Sequence, residues 1–247
     1  MFKVEPARDR MSAAAFLTAE WRHLVMLNYE ADPRLLAPLV PRGVELDSWG
    51  GMHFVSVVGF LFLNTRLLGV PVPFHRNFEE VNLRFYVRRR APEGWRRGVV
   101  FIREFVPRAA IASIARLVYN EPYLALPMRH TLTQGVALSA CYKWRTGGRW
   151  HQLSATTRGA LQPTAPGSQE EFITEHYWGY TAQRDGSTVE YQVEHPRWPA
   201  WQVAECALDC DVAALYGPQF TACLGARPCS AFVAEGSPVT VRRGQRI

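Results

Sequence analysis

Ile114-Ala115-Arg116-Leu117-Val118-Tyr119-Asn120-Glu121-Pro122-Tyr123-Leu124-Ala125-Leu126 is the stretch on which the reading of this chain turns. Its first half belongs to a short apolar helix expected over 109–119, with Ile111, Ile114, Ala115 and Val118 at helical spacing. Pro122 cannot continue a helix and disfavours it at the residue before, so the chain leaves extended. Such a corner aims the side chain just beyond it into a cavity with little freedom, and that side chain is Tyr123.

Outward from this corner the sequence is dominated by strand patterns. On the N-terminal side, Glu80–Val87 alternates: Val81, Leu83, Phe85 and Val87 on one face, Glu80, Asn82, Arg84 and Tyr86 on the other. Gly98–Val106 follows an arginine-rich turn and is expected to pair with it as a hairpin. Met52–Leu63 is almost continuously apolar, so both its faces should be covered. Trp21–Tyr29 alternates too, placing Trp21, Val25 and Leu27 on one face and Arg22, Leu24 and Met26 on the other. Asp32-Pro33 begins a short helix, with Asp as N-cap and Pro at the first helical position.

Downstream, His130–Arg145 and Arg149–Ala160 flank the turn Thr146-Gly147-Gly148, and Tyr177–Gln183 and Val189–Val193 flank a turn centred on Asp185-Gly186. Ser168-Gln169-Glu170-Glu171 is a capping box. Trp201–Asp209 and Phe232–Arg242 complete ten or more strands against three short helices. The expected fold is α+β and β-rich: one domain over residues 1–247, with 1–17 a lead-in and an antiparallel-dominated sheet curled into a barrel or sandwich.

The totals narrow the function classes. The 247 residues are 48 % hydrophobic and 20 % charged, which suits a sizeable core rather than disorder. The net charge of +6 comes from arginine, since only Lys3 and Lys143 are lysines. The arginines are scattered and no nucleic-acid motif accompanies them, so no nucleic-acid partner is expected. No apolar run reaches the ~20 residues of a membrane helix and no signal-peptide pattern is present, so no membrane partner is expected. Five cysteines, an odd number, fit a reducing compartment, and a cytoplasmic location is expected. Cys206-x-x-x-Cys210 and Cys223-x5-Cys229 lack zinc-site spacing, and the histidines lack metal spacing. No dinucleotide, Walker or serine-elbow motif occurs, so neither a cofactor nor a metal is expected.

Several motifs, in order, resemble the YqjF-like family, a distant branch of the acetoacetate decarboxylase superfamily: Trp21-Arg22-His23-Leu24, Asp32-Pro33-Arg34-Leu35-Leu36, and Leu39-Val40-Pro41-Arg42-Gly43-Val44-Glu45-Leu46-Asp47. Phe78–Val87, Ala115-Arg116 through Pro122-Tyr123, and His195-Pro196-Arg197-Trp198-Pro199 continue it. The resemblance implies an antiparallel sheet closed into a cone or barrel around a buried pocket, and it allows a homo-oligomer. It implies that Arg22 and Glu80 lie at pocket positions, that Arg116 sits in the helix before the corner, and that Pro122 precedes the catalytic-lysine position. There the chain departs from the pattern: Tyr123 occupies the Schiff-base lysine position and Leu124 the neighbouring second one. A tyrosine forms no imine, so Schiff-base decarboxylation is not expected, while proton transfer stays open. Lys143, before a Gly-Gly turn, reads as a surface residue.

Each candidate has two readings. Arg22 binds an organic anion in bidentate fashion or pairs with Glu80. Glu80, Asn82 and Arg84 share a strand face that lines the pocket, where a buried Glu80 carboxyl can act as acid or base, or that forms a solvent face or a buried salt-bridge ladder. Tyr123 donates to a carbonyl or enolate oxygen, or plugs the space two lysines would fill. Arg116 braces the corner more than it touches substrate. His195 meets the pocket or caps a strand. The expected function is a pocket for a small organic acid or carbonyl compound, with Glu80 and Tyr123 as candidate catalytic groups and Arg22, Asn82, Arg116 and His195 as binding candidates. The alternative is a non-catalytic ligand sensor or interaction protein with a vestigial pocket.

Overall fold

The structure, a computed structural model, describes residues 15–71, 73, 75–107 and 120–247. The helix expected over 109–119, Arg116 and Lys3 lie outside the described residues. The strands that enclose the site are β1 (Ala15–Glu30), β3 (Phe54–Leu67), β5 (Phe78–Ala91), β6 (Gly94–Val106), β11 (Trp178–Ala182), β12 (Thr188–Glu194) and β14 (Ser230–Arg242). They are hydrogen-bonded in the ring order β1-β3-β5-β6-β11-β12-β14, and β14 returns to β1. Closure rests on a short pairing, Val193 opposite Val241 and Glu194 opposite Thr240. Short strands β2 (Glu45–Leu46), β4 (Val70–Pro71) and β15 (Gln245–Arg246) trim the edges.

β14 serves two sheets. Beyond the closure it pairs with β13 (Ala200–Asp209), which leads through β10 (Arg149–Gln162) and β9 (Leu138–Thr146) to β8 (Met128–Gln134). This extension folds over the outside of the ring. Tyr142, Trp144 and Leu153 pack there with Val57, Val81, Leu83 and Phe85. Leu24, Met26, Phe60, Phe62, Phe78 and Tyr86 form a separate cluster on the inner face. The unbroken apolar run at Phe54–Leu63 follows from this: that strand has a core on each side. Gly59 marks the contact, since a Cβ there would meet Tyr142 Cδ2 at 2.8 Å.

Local signals read from the sequence recur as structure. Asp32 caps α1 (Pro33–Leu36), accepting from Arg34 N at 2.8 Å. Ser168 caps α2 (Gln169–Thr174), accepting from Glu171 N at 3.1 Å. Some expectations are corrected. β1 begins at Ala15, inside the expected lead-in, because its first residues pair with Arg242 and Val241. His130–Arg145 is two strands, β8 and β9, turned at Gly135. Helices α3 (Val212–Tyr216) and α4 (Thr221–Gly225) had no sequence assignment. Strand β7 (Tyr123–Ala125) runs parallel to β6, as does β11. No helix among the described residues is long and apolar enough to cross a membrane.

Two bulges set what faces inward. In β1, Arg22 lies opposite Leu61 and Val25 opposite Gly59, so β1 spends three residues against two, with His23 at φ +55°. A one-residue insertion flips every later side chain to the other face. Trp21 therefore joins Leu24 and Met26 inside, and Arg22 is turned out. In β6, Arg103 lies opposite Leu83 and Phe101 opposite Arg84. Val99 and Phe101 face the interior above this bulge, and Glu104 faces it below.

The β1 bulge is tolerated because Gly236 stands opposite Arg22 at φ +81°, where a Cβ would lie 1.9 Å from the Trp21 carbonyl oxygen. Gly236→Ala is expected to lower unfolding free energy by about 2–4 kcal/mol, through backbone clash and a strained φ. Urea unfolding checks this, and a loss below ~0.5 kcal/mol is incompatible with the register described.

Candidate functional site

The ring encloses a cavity of about 160 Å³, similar to the ~150 Å³ of an engineered cavity that admits benzene. Its walls are largely apolar and aromatic, with Trp21, Phe60, Phe62, Phe78 and Phe101 among them. Polar groups come from β5, from β6 below its bulge, and from the corner at Glu121–Tyr123.

β5 turns Glu80, Asn82 and Arg84 inward, because its apolar alternates Val81, Leu83 and Phe85 are claimed by the outer core. The polar face of this amphipathic strand thus meets the cavity rather than solvent. Glu80 is 2 % exposed and Asn82 1 %. Asn82 Nδ2 donates to Glu80 Oε1 at 2.9 Å, and the Tyr123 hydroxyl donates to Glu80 Oε2 at 3.1 Å. β7 brings Tyr123 there by lying parallel to β6, Tyr123 opposite Glu104, with Glu104 N donating to Pro122 O at 3.2 Å.

Two further carboxyls share the space. Glu104 is 1 % exposed and Glu121 7 %. The Tyr191 hydroxyl donates to Glu121 Oε1. Neither Glu104 oxygen has a hydrogen-bond partner among the described residues. Burial lifts the Glu80 carboxyl to about 7, against the lowering effect of Asn82, Tyr123 and Arg84. Burial, with the charge of Glu80 behind it, lifts Glu121 to about 7 despite the Tyr191 bond. Glu104 is pushed well above the carboxylate range by burial and by Glu121 and Glu80, which outweigh the lowering effect of the nearby Tyr123 hydroxyl. Tyr123 is raised by burial and by the same carboxyls, so it stays a neutral donor. Arg84 is the one arginine or lysine lining the cavity among the described residues, and its Nε has no partner.

A second polar group stands at the wall. His176 Nε2 lies 3.3 Å from Asp47 Oδ2, which also takes the Arg97 Nε bond at 2.7 Å. Burial depresses His176 to about 4, although Asp47 opposes it. Burial raises Asp47, but the bonds from His176 and Arg97 outweigh that and hold it at about 2.

Of the residues singled out in sequence, the structure brings Glu80, Asn82 and Tyr123 together. Arg22 is elsewhere: turned out by the β1 bulge, it pairs with Glu20 at 2.8 Å and donates to Gly236 O at 3.3 Å. It makes no contact with Glu80, and neither of its sequence readings describes it. His195 is sandwiched between Tyr177 and Trp198, ring centroids at 4.7 and 4.1 Å, and does not itself line the cavity. Lys143 is on β9 in the outer sheet and does not line the cavity. The sequence reading passed over Glu104, Glu121, His176 and Tyr191. Strict alternation from Val99 and Phe101 points Arg103 inward, and only the bulge substitutes Glu104. Glu121, two residues before Tyr123 at the proline corner, was legible as a neighbour.

The fold is that of the acetoacetate decarboxylase-like proteins. The acetoacetate decarboxylase of Legionella pneumophila superposes with a TM-score of 0.65 at 15 % identity, covering 99 % of this chain and 92 % of that one. The enduracididine biosynthesis enzyme MppR, in complex with pyruvate, superposes at 0.66 with 13 % identity, covering 97 % and 93 %. An acetoacetate decarboxylase-like enzyme from Sphingomonas wittichii RW1 gives 0.65 at 12 % identity over 94 % and 93 %. At these identities the likeness is one of fold. The chain belongs to the DUF2071 family, described as "Uncharacterized conserved protein (COG2071)", which matches residues 18–238. YqjF of Bacillus subtilis is 29 % identical over 183 residues, 71 % of this chain and 72 % of that protein.

Because the folded Glu80 carboxyl titrates above its unfolded value of 4.5, the native chain holds extra protons between there and about 7. Stability contributed by the protonated group is therefore lost as pH rises through that window. Glu80→Gln keeps the neutral shape, so the stability of wild type relative to this variant should fall by up to about 3 kcal/mol between pH 5 and pH 8. His176 and His195, depressed to about 4, act in the opposite direction but are present in both proteins. Parallel pH-stability curves for the two proteins are the contrary result.

Proposed function

We propose that the barrel cavity binds a small organic acid or carbonyl compound and that any proton transfer there is carried by Glu80 and Tyr123 without a lysine. The observation that carries this reading is a buried carboxyl poised near 7 and hydrogen-bonded to a tyrosine in a mostly apolar cavity. A carboxyl at that point is close to ideal for exchanging a proton at neutral pH. In its ionised form Glu80 takes a proton from the carbon beside a carbonyl, while the Tyr123 hydroxyl turns from Glu80 to the developing enolate oxygen. Return of the proton from Glu80 completes a cycle that needs no imine.

Arg84 takes the anchoring role first assigned to Arg22, because it is the guanidinium that lines the cavity. The Schiff-base route lacks its amine: Tyr123 holds the position after Pro122, and no lysine lines the cavity among the described residues. A neighbour of the same fold is known in complex with pyruvate, which supports 2-oxo acids as first probes.

The second reading, a non-catalytic sensing pocket, is favoured by the Tyr123–Glu80 bond, which satisfies both groups without a ligand. The free volume beside it speaks for occupancy in either case. Titration calorimetry with pyruvate and 4-oxopentanoate is expected to give binding that Arg84→Ala weakens at least about tenfold, ~1.4 kcal/mol, and that Arg22→Ala leaves within about twofold. Loss of binding in Arg22→Ala with Arg84→Ala unaffected sinks the assignment. Exchange of α-hydrogen for deuterium in bound ligand, abolished in Glu80→Gln, separates acid–base chemistry from sensing.

A further inference from the structure

The cavity contains more acid than an organic acid requires. Glu80, Glu104 and Glu121 face Arg84 as the one arginine or lysine in the lining among the described residues. Burial and mutual repulsion keep the three from ionising together. Neutral carboxyls ordinarily find hydrogen-bond partners when buried, yet neither Glu104 oxygen has one among the described residues.

An independent group points the same way. Asn82 is 1 % exposed, and its amide nitrogen is committed to Glu80. That fixes its Oδ1 as an acceptor, and Oδ1 too has no donor among the described residues. Glu104 Oε1, Glu104 Oε2 and Asn82 Oδ1 are thus three buried polar atoms of one cavity without a partner among the described residues; once an arriving cation drives the Glu104 proton off, all three are acceptors for N–H groups. Aromatic rings, Trp21, Phe60 and Phe62 among them, line the same cavity, and an aromatic ring attracts a cation that lies over its face.

We infer that the natural ligand is a small carboxylate bearing a flat, multi-donor cationic nitrogen head, of the amidinium or guanidinium type, with its head at Glu104 and Asn82 and its carboxylate at Arg84. This rests on the pocket reading above and narrows its ligand class. A single ammonium offers a point charge, whereas a planar head presents several N–H groups in one plane and stacks on an aromatic wall. The charge balance is closed by protons: the head arrives, and the carboxyls facing it release protons to solvent. The groups facing this exchange are Glu80, Asn82 and Arg84 on β5, Glu104 on β6, Glu121 and Tyr123 at the corner, Tyr191 on β12, and His75 and His176. Glu80 and Glu121, poised at about 7, then titrate below that value.

The test uses 3-guanidinopropanoate and 3-ureidopropanoate, which share shape and carboxylate and differ in the charge of the head. Calorimetry at pH 7 in two buffers of different ionisation enthalpy measures affinity and proton release together. The guanidino compound is expected to bind at least about tenfold more tightly and to release protons. In Glu104→Gln that preference is expected to shrink about tenfold, with thermal melting confirming the fold; the proton count on wild type decides the matter should that variant not fold. Equal or tighter binding of the ureido compound, or binding of the guanidino compound without proton release, overturns this inference and leaves the organic-acid pocket standing. Failure of both compounds and of pyruvate overturns the pocket reading itself.

Discussion

Three carboxyl groups held out of water in one barrel are the constraint to which the rest of the interior answers. A buried carboxylate without a cation is costly, and several of them together are more so. The chain meets this by protonation and by hydroxyl donors, with Tyr123 on Glu80 and Tyr191 on Glu121. Neither Glu104 oxygen has a hydrogen-bond partner among the described residues. Such an arrangement sacrifices stability at neutral pH, and the same sacrifice places two carboxyls where proton exchange is easy.

That interior exists because one long sheet closes on itself. β14 pairs with β1 along most of its length, with β13 on its early part, and with β12 near its end. The sheet is therefore a ring and a covering layer at once. The covering layer takes up the apolar face of β5, which frees the opposite, polar face to line the cavity. The corner after Pro122 adds Tyr123 by parallel pairing to β6, and its hydroxyl then reaches Glu80.

Much of this was legible in the sequence because period-two patterns report faces directly. Glu80, Asn82 and Arg84 on one side of a strand, Tyr123 beyond a proline, and the two caps at Asp32 and Ser168 were each local statements. Arg22 was misplaced for a definite reason. The resemblance put it at a pocket position, and alternation with Leu24 and Met26 agrees only if β1 is regular; the bulge at His23 inverts the phase between Trp21 and Val25. Glu104 was overlooked through the matching device in β6. His176 carries no periodic signal, since it follows a short helix and is recognised only by its contact with Asp47, 129 positions away.

By itself, then, the sequence determined that this is a β-rich chain, that a polar strip runs along one strand, and that no amine stands after Pro122. These are properties of neighbouring residues and of covalent identity. The tertiary structure alone decided which face of each strand looks inward, that Arg84 reaches the cavity and Arg22 does not line it, and that three distant glutamates meet there. Phase along a strand is reset by a single inserted residue, and the energy of a buried charge depends on what else is buried beside it, so neither can be read from a local pattern.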